Sequence, residues 1–171
     1  IIFTSDNGGA NYIELEDINK PYRGWKISFF EGGIRVPYIV SWPDEINPGK
    51  KSDNAVHHFD IFPTIAKAAG IESSDALDGV DLLPFIKNES SSKPHTTLFW
   101  RSGNHQSVLH KNWKYIISKK ENFRWLFDTS VDPTEKNNLL HSHPLIVKEI
   151  EDLLAKFNSE QKNPLFPSSY D

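Results

Sequence analysis

The residues best suited to chemistry stand near the start of the chain, where Ile1-Ile2-Phe3 runs through Thr4-Ser5 into Asp6-Asn7-Gly8-Gly9. A carboxylate and a carboxamide side by side at a strand end offer two hard oxygen donors, which suit Ca²⁺ or Mg²⁺ better than zinc. The same tetrapeptide also reads as a tight turn, because Asn-Gly after an apolar run is a strong hairpin signal. From these residues alone both readings stand. The seven histidines add little, since none has the spacing of a metal motif and the adjacent His57 and His58 would face opposite ways on a strand. His57, near the start of a short capped helix, remains a candidate substrate contact. The absence of cysteine removes thiolate metal sites, disulfides and a cysteine nucleophile from these residues.

Two strands must hold the first motif. Residues 1–5 read as a parallel or buried strand and residues 36–42 as another, with Pro37 where a strand begins. Between them residues 11–23 are polar, of mixed charge and without apolar periodicity, which predicts an exposed loop bordering the site. Asp60 reads as the N-cap of a short helix over residues 61–69, closed by Gly70. Residues 89–94, centred on three serines, mark a subdomain boundary, so the chain divides into 1–92 and 93–171. Beyond it, apolar bursts at 98–101, 106–110, 113–118 and 124–128 predict four antiparallel strands joined by short turns, with Lys119-Lys120 in a solvated one. Trp113, Tyr115 and Ile117 share a face by the two-residue period. A helix after Pro144, with Ile146, Ile150, Leu153, Leu154 and Phe157 on one stripe, would cover it, and the tail from Asn163 would fray.

Composition sets outer limits. The 171 residues are 37% hydrophobic and 25% charged, enough for one core and a small second layer. A net charge of −4 argues against a nucleic-acid surface, and no apolar run reaches membrane-spanning length. The chain has no methionine and opens inside a strand, so a longer parent protein is expected, with any targeting segment upstream.

Further motifs follow in a fixed order: Gly24-Trp25-Lys26, Glu31-Gly32-Gly33-Ile34-Arg35-Val36-Pro37, His58-Phe59-Asp60-Ile61-Phe62-Pro63-Thr64, Asp78-Gly79-Val80-Asp81, Trp113-Lys114-Tyr115-Ile116, and Asp132-Pro133-Thr134-Glu135 with Asn138-Leu139. Together with Asp6-Asn7 this series resembles the sulfatase family of the alkaline-phosphatase-like superfamily, over nearly the whole chain. The resemblance implies an α/β fold: the end of an alkaline-phosphatase-like mixed sheet with helices, then a small four-stranded antiparallel sheet packed by a carboxy-terminal helix. It implies calcium, with Mg²⁺ second, held by Asp6 and Asn7. It places Lys26 as the catalytic lysine on the substrate sulfate, with Asn7 also in substrate contact. Glu31, Gly32, Gly33 and Arg35 would be architectural, Glu31 and Arg35 pairing as an ion bridge.

The same resemblance implies sulfate-ester hydrolysis through a formylglycine made in a Cys/Ser-x-Pro-x-Arg motif. No such motif occurs in these residues, so the nucleophile is expected upstream and the segment alone is expected to be inactive. A sulfated small molecule or glycan would be the substrate, and the missing amino-terminal part of the same enzyme the partner. An extracellular, periplasmic or lysosomal location is favoured by resemblance only. Two alternatives remain: a phosphonate or phosphodiester hydrolase of the same superfamily, and a non-catalytic carbohydrate- or protein-binding module. The second predicts that Trp100, Trp113 and Trp125 stand exposed together.

Overall fold

The computed structural model of the protein describes residues 1–15, 17–72, 76–118 and 120–162. Lys119 and the tail from Asn163 lie outside them. The chain forms two compact units, Ile1–Phe3 with Ile39–Thr96 and Thr4–Tyr38 with Thr97–Asp171. A boundary at 92/93 divides the chain along its sequence; in space it crosses between units near residues 3, 38 and 96.

β1 (Ile2–Thr4) pairs with β2 (Tyr38–Val40), with all but Thr4 and Tyr38 of the two strands in the first unit. Ile1 and Ser41 exchange both backbone hydrogen bonds at 2.8 Å, the closed pair of an antiparallel ladder. The sequence predicts a parallel or buried strand here. Instead Phe3 is 62% and Ile39 56% exposed, because a two-stranded ribbon offers its apolar side chains no second layer. A 3₁₀ turn at His58–Asp60 leads into α2 (Ile61–Ala68), and α3 (Leu83–Ile86) follows. Gly70, at φ +73°, ends α2 by turning Ile71 N–H back onto the Ala66 carbonyl at 2.9 Å.

The second unit is built on a sheet in the order β3 (Thr97–Ser102), β4 (His105–His110), β5 (Trp113–Ser118) and β6 (Phe123–Asp128), antiparallel throughout. The register sets Val108, Tyr115 and Leu126 in one row across three strands. Against that row packs α4 (Pro144–Glu160), through Val147, Ile150 and Leu154, with Trp113, Ile117, Ile146 and Phe157 around them. The helix thus covers the predicted face. Tyr115 is fully buried except for its need of a partner, which Glu151 supplies at 2.6 Å.

The opposite face is buried too. Lys114, Ile116 and Phe127 alternate with the α4-facing row and are almost inaccessible. Trp125 lies on that side against Phe30, ring centroids 4.9 Å apart, with the Arg23 guanidinium 4.0 Å from the Phe30 centroid and 5.1 Å from that of Trp125. Trp113 points the other way, so Trp100, Trp113 and Trp125 form no common exposed platform, and all three are half-buried. That removes the main support of the binding-module alternative. At the outer side of β6, Leu126 N–H donates to Asn138 Oδ1 at 3.0 Å and its carbonyl accepts from Leu139 N–H at 2.8 Å.

Candidate active site

After β1 the chain makes a short turn in which Ser5 Oγ donates to the Asn7 carbonyl at 2.8 Å. The Asp6 side chain is exposed and Asn7 half-buried, and among the described residues no hydrogen bond or ion pair engages either side-chain head. Gly8 and Gly9 then seat the loop. Gly8 N–H donates to the Gly33 carbonyl at 2.8 Å, and a Cβ at Gly8 would stand 1.8 Å from the Gly32 carbonyl oxygen. Only glycine allows that approach. The seat is α1 (Glu31–Ile34), a single helical turn whose own glycines let the chain pass close: a Cβ on Gly33 would meet the Ser28 carbonyl at 2.0 Å.

Lys26 is tied to the same loop. Its N–H donates to the Gly9 carbonyl at 3.1 Å, while Asn19 brackets Gly9 by accepting from its N–H at 2.7 Å and donating to its carbonyl at 2.9 Å. Trp25 to Ser28 form a tight turn closed by Ser28 N–H on the Trp25 carbonyl at 3.0 Å, with Ile27 at φ +87°. A β-branched residue at positive φ is strained. The turn leaves Lys26 half-buried beside the Asp6-Asn7 loop. An open depression of about 370 Å³ is lined among others by Asn11, Lys20, Tyr22 and Trp25; Asp6, Asn7 and Lys26 are not among its lining residues.

Beneath α1 lies an ion cluster in which the sequence assigns no role to Lys114 or Glu135. Lys114, fully buried, donates to Glu31 Oε1 at 2.6 Å and stands 3.1 Å from Glu135 Oε1. Glu135, also fully buried, accepts the Glu31 N–H at 2.6 Å through its other oxygen. Arg35 reaches Glu31 Oε2 only at 3.4 Å, so the expected Glu31–Arg35 bridge is the outer and weaker contact. Burial pushes the Glu135 carboxyl above the usual range, against the opposing pull of Lys114. Asp132 shapes the turn that delivers Glu135, accepting the Lys136 and Asn137 N–H groups at 2.8 Å each. Alternation alone marks Lys114 as solvent-facing, and no local signal in the sequence pairs it with Glu31 or Glu135.

His57 belongs to the other unit and to another network. Its N–H donates to Asp60 Oδ2 at 2.7 Å, and its Nδ1 accepts from Phe59 N–H at 3.4 Å. Asp60, fully buried, also accepts Val80 N–H at 2.9 Å and lies 2.8 Å and 2.9 Å from His95 Nε2. The helix starts at Ile61 as predicted, yet Asp60 does not cap it with its side chain; the carboxylate closes the preceding 3₁₀ turn instead. Burial, and then the neighbouring His58, lower the His57 pKa below its ordinary value.

Asp6, Asn7 and Lys26 therefore stand on one backbone frame, and the fold is the alkaline-phosphatase-like α/β type with its small antiparallel sheet and terminal helix. The chain belongs to the sulfatase family: residues 24–163 match the family described as "N-sulphoglucosamine sulphohydrolase, C-terminal". Human steryl-sulfatase is 30% identical over 99% of this chain and 31% of its own length. The N-acetylgalactosamine-6-O-sulfatase of Bacteroides thetaiotaomicron is 29% identical over 90% of this chain and 35% of its own. The solved structure of Ps i-CgsB in complex with k-i-k-neocarrahexaose superposes with a TM-score of 0.84, at 27% identity over 99% of this chain and 38% of that one. The chain spans about a third of the length of the curated relatives it matches.

Proposed function

We propose that this chain is the carboxy-terminal portion of a calcium-dependent sulfatase that hydrolyses sulfate esters, of glycans by preference, to an alcohol and inorganic sulfate. The observation that carries the reading is the backbone lock of Lys26 N–H on the Gly9 carbonyl at 3.1 Å, which holds the cationic side chain's residue beside the Asp6-Asn7 pair. The preference for glycans rests on the hexaose bound to a structural relative and on the N-acetylgalactosamine-6-O-sulfatase among the homologues.

The donor set fits a hard cation. Asp6 and Asn7 offer oxygen only, and the glycine seat holds their loop where a Cβ would collide. They would supply two of the roughly six to eight oxygens that Ca²⁺ takes; Mg²⁺ fits less well because it demands near-ideal octahedral geometry. Among the described residues no group of three or more His, Cys, Asp or Glu side chains is placed to hold a metal, so further ligands would come from the rest of the enzyme. Calcium in that position would supply Lewis-acid polarisation of a sulfate oxygen. A formylglycine outside this chain would supply the hydrated-aldehyde nucleophile. Lys26 neutralises a sulfate oxygen and the charge growing on the leaving oxygen, worth about 3 kcal/mol in a water-excluded site. Asn7 orients the same sulfate, and His57 is the remaining candidate substrate contact.

The test compares aryl sulfate with aryl phosphate hydrolysis by the full-length enzyme. Lys26→Met is expected to lower kcat/KM for the sulfate about 100-fold, the equivalent of about 3 kcal/mol. Preference for the phosphate, or an unaffected Lys26→Met variant, overturns the reading; His57→Ala in the same assay decides that residue.

A further inference from the structure

We propose that Lys114 is a positioning residue for the cation-binding loop, acting through Glu31 and Glu135. The inference rests on the assignment of Asp6 and Asn7 as metal ligands. Three elements far apart in sequence meet in this cluster: β5 through Lys114, α1 through Glu31, and the turn after β6 through Glu135. A buried lysine with two buried carboxylates is expensive to desolvate and rarely stabilises a fold better than apolar residues of the same size, so its presence points to a geometric role.

The geometry supplies that role. Glu135 takes the first N–H of α1, which as the start of a helix has no partner within the helix. Lys114 draws the Glu31 side chain onto the sheet at 2.6 Å. With backbone and side chain of Glu31 both held, the next residues have little freedom: Gly32 N–H is fixed on the Arg23 carbonyl at 2.7 Å, and the Gly33 carbonyl receives Gly8 N–H at 2.8 Å. Gly8 directly follows Asn7. The path from Lys114 to the ligand pair thus runs through short hydrogen bonds and tight glycine contacts, with no flexible side chain after Glu31. Arg23 braces the other end, donating to the Glu135 carbonyl at 3.2 Å while stacked on Phe30. The cluster sets two carboxyl groups against one lysine head, and the Arg35 guanidinium approaches Glu31 Oε2 at 3.4 Å from the solvent side.

The experiment measures calcium affinity by titration calorimetry on the full-length, metal-stripped enzyme. Lys114→Met is expected to raise the calcium Kd at least tenfold. Since that variant leaves two buried carboxylates facing each other and can fail to fold, a second pair reads the same path. Glu135→Ala removes the acceptor for Glu31 N–H and is expected to raise Kd at least tenfold. Glu135→Gln keeps an oxygen there and is expected to bring Kd back within threefold of the parent. A merely structural cluster would not produce that rescue at equal thermal stability. Folded Glu135→Ala with the parent's Kd, or Glu135→Gln as weak as Glu135→Ala, overturns the proposal. Asp6→Ala separates the two readings: if it abolishes calcium binding while the cluster variants bind normally, only the positioning role falls. If Asp6→Ala binds calcium like the parent, the ligand assignment falls and the positioning role with it.

Discussion

Gly8→Ala is the sharpest perturbation of the site's frame. The added methyl would stand 1.8 Å from the Gly32 carbonyl oxygen and 2.8 Å from its carbon, both backbone atoms that no rotamer change can move aside. Relief requires the loop to withdraw by about 1.5–2 Å, to an ordinary van der Waals separation. That movement breaks the 2.8 Å bond from Gly8 N–H to the Gly33 carbonyl. Losing the bond costs about 1 kcal/mol and the overpacking about 1–3 kcal/mol, so a total of about 2–4 kcal/mol is expected. Urea denaturation of the full-length protein measures that loss directly. The same withdrawal displaces Asn7 and Asp6, so calcium affinity should fall along with stability. A Gly8→Ala protein that unfolds at the parent's urea concentration and binds calcium equally well would falsify both the seat and its link to the ligand pair.

Ile27→Gly, which removes a β-branched side chain from φ +87°, should raise stability by about 1 kcal/mol, seen as a higher melting temperature; an unchanged or lower one refutes the strain. Asp60→Ala strips the buried partner from His57 N–H, Val80 N–H and His95, and should destabilise by about 3–5 kcal/mol in the same measurement. Because burial lowers the His57 pKa, the unfolded chain takes up that proton first. The folded state's margin on this account is full above the ordinary value of 6.5 and shrinks as pH falls from there toward the folded pKa. His57→Gln should flatten that part of a stability-against-pH curve, and an identical curve would exclude the effect. On the proposed assignment of Asp6 and Asn7, the isolated chain should bind calcium weakly; tight stoichiometric binding by it would show that the site is complete within these residues.

What could be read from the residues, and what could not, divides along physical lines. The four strands and α4 were legible because short turns punctuate apolar bursts and because Ile146, Ile150, Leu154 and Phe157 recur at helical spacing. The grouping of Asp6, Asn7 and Lys26 followed from ordered motifs, and the backbone bond between Lys26 and Gly9 places them on one frame. Lys114 was illegible: alternation assigns a charged strand residue to solvent, and its two acidic partners lie 83 residues before and 21 residues after it. Asp60 was misread because a capping residue and the hub of a buried network share the same local sequence. The side on which Trp125 packs, against Phe30 and away from the last helix, was not legible, because a period of two fixes relative faces and not which face the helix takes.

The pairing of Leu126 with Asn138 and Leu139 bears on how the protein behaves at high concentration. An edge strand with open N–H and C=O groups is a template for another chain, and intermolecular pairing there begins aggregation. On β6 the Leu126 donor and acceptor are already taken by the protein's own following segment, and Asn138 Nδ2 adds a bond to the Arg124 carbonyl at 3.3 Å. The asparagine therefore acts as a stopper on the edge of the sheet. Its replacement by alanine would reopen the border of β6 to strand addition, and solubility would suffer.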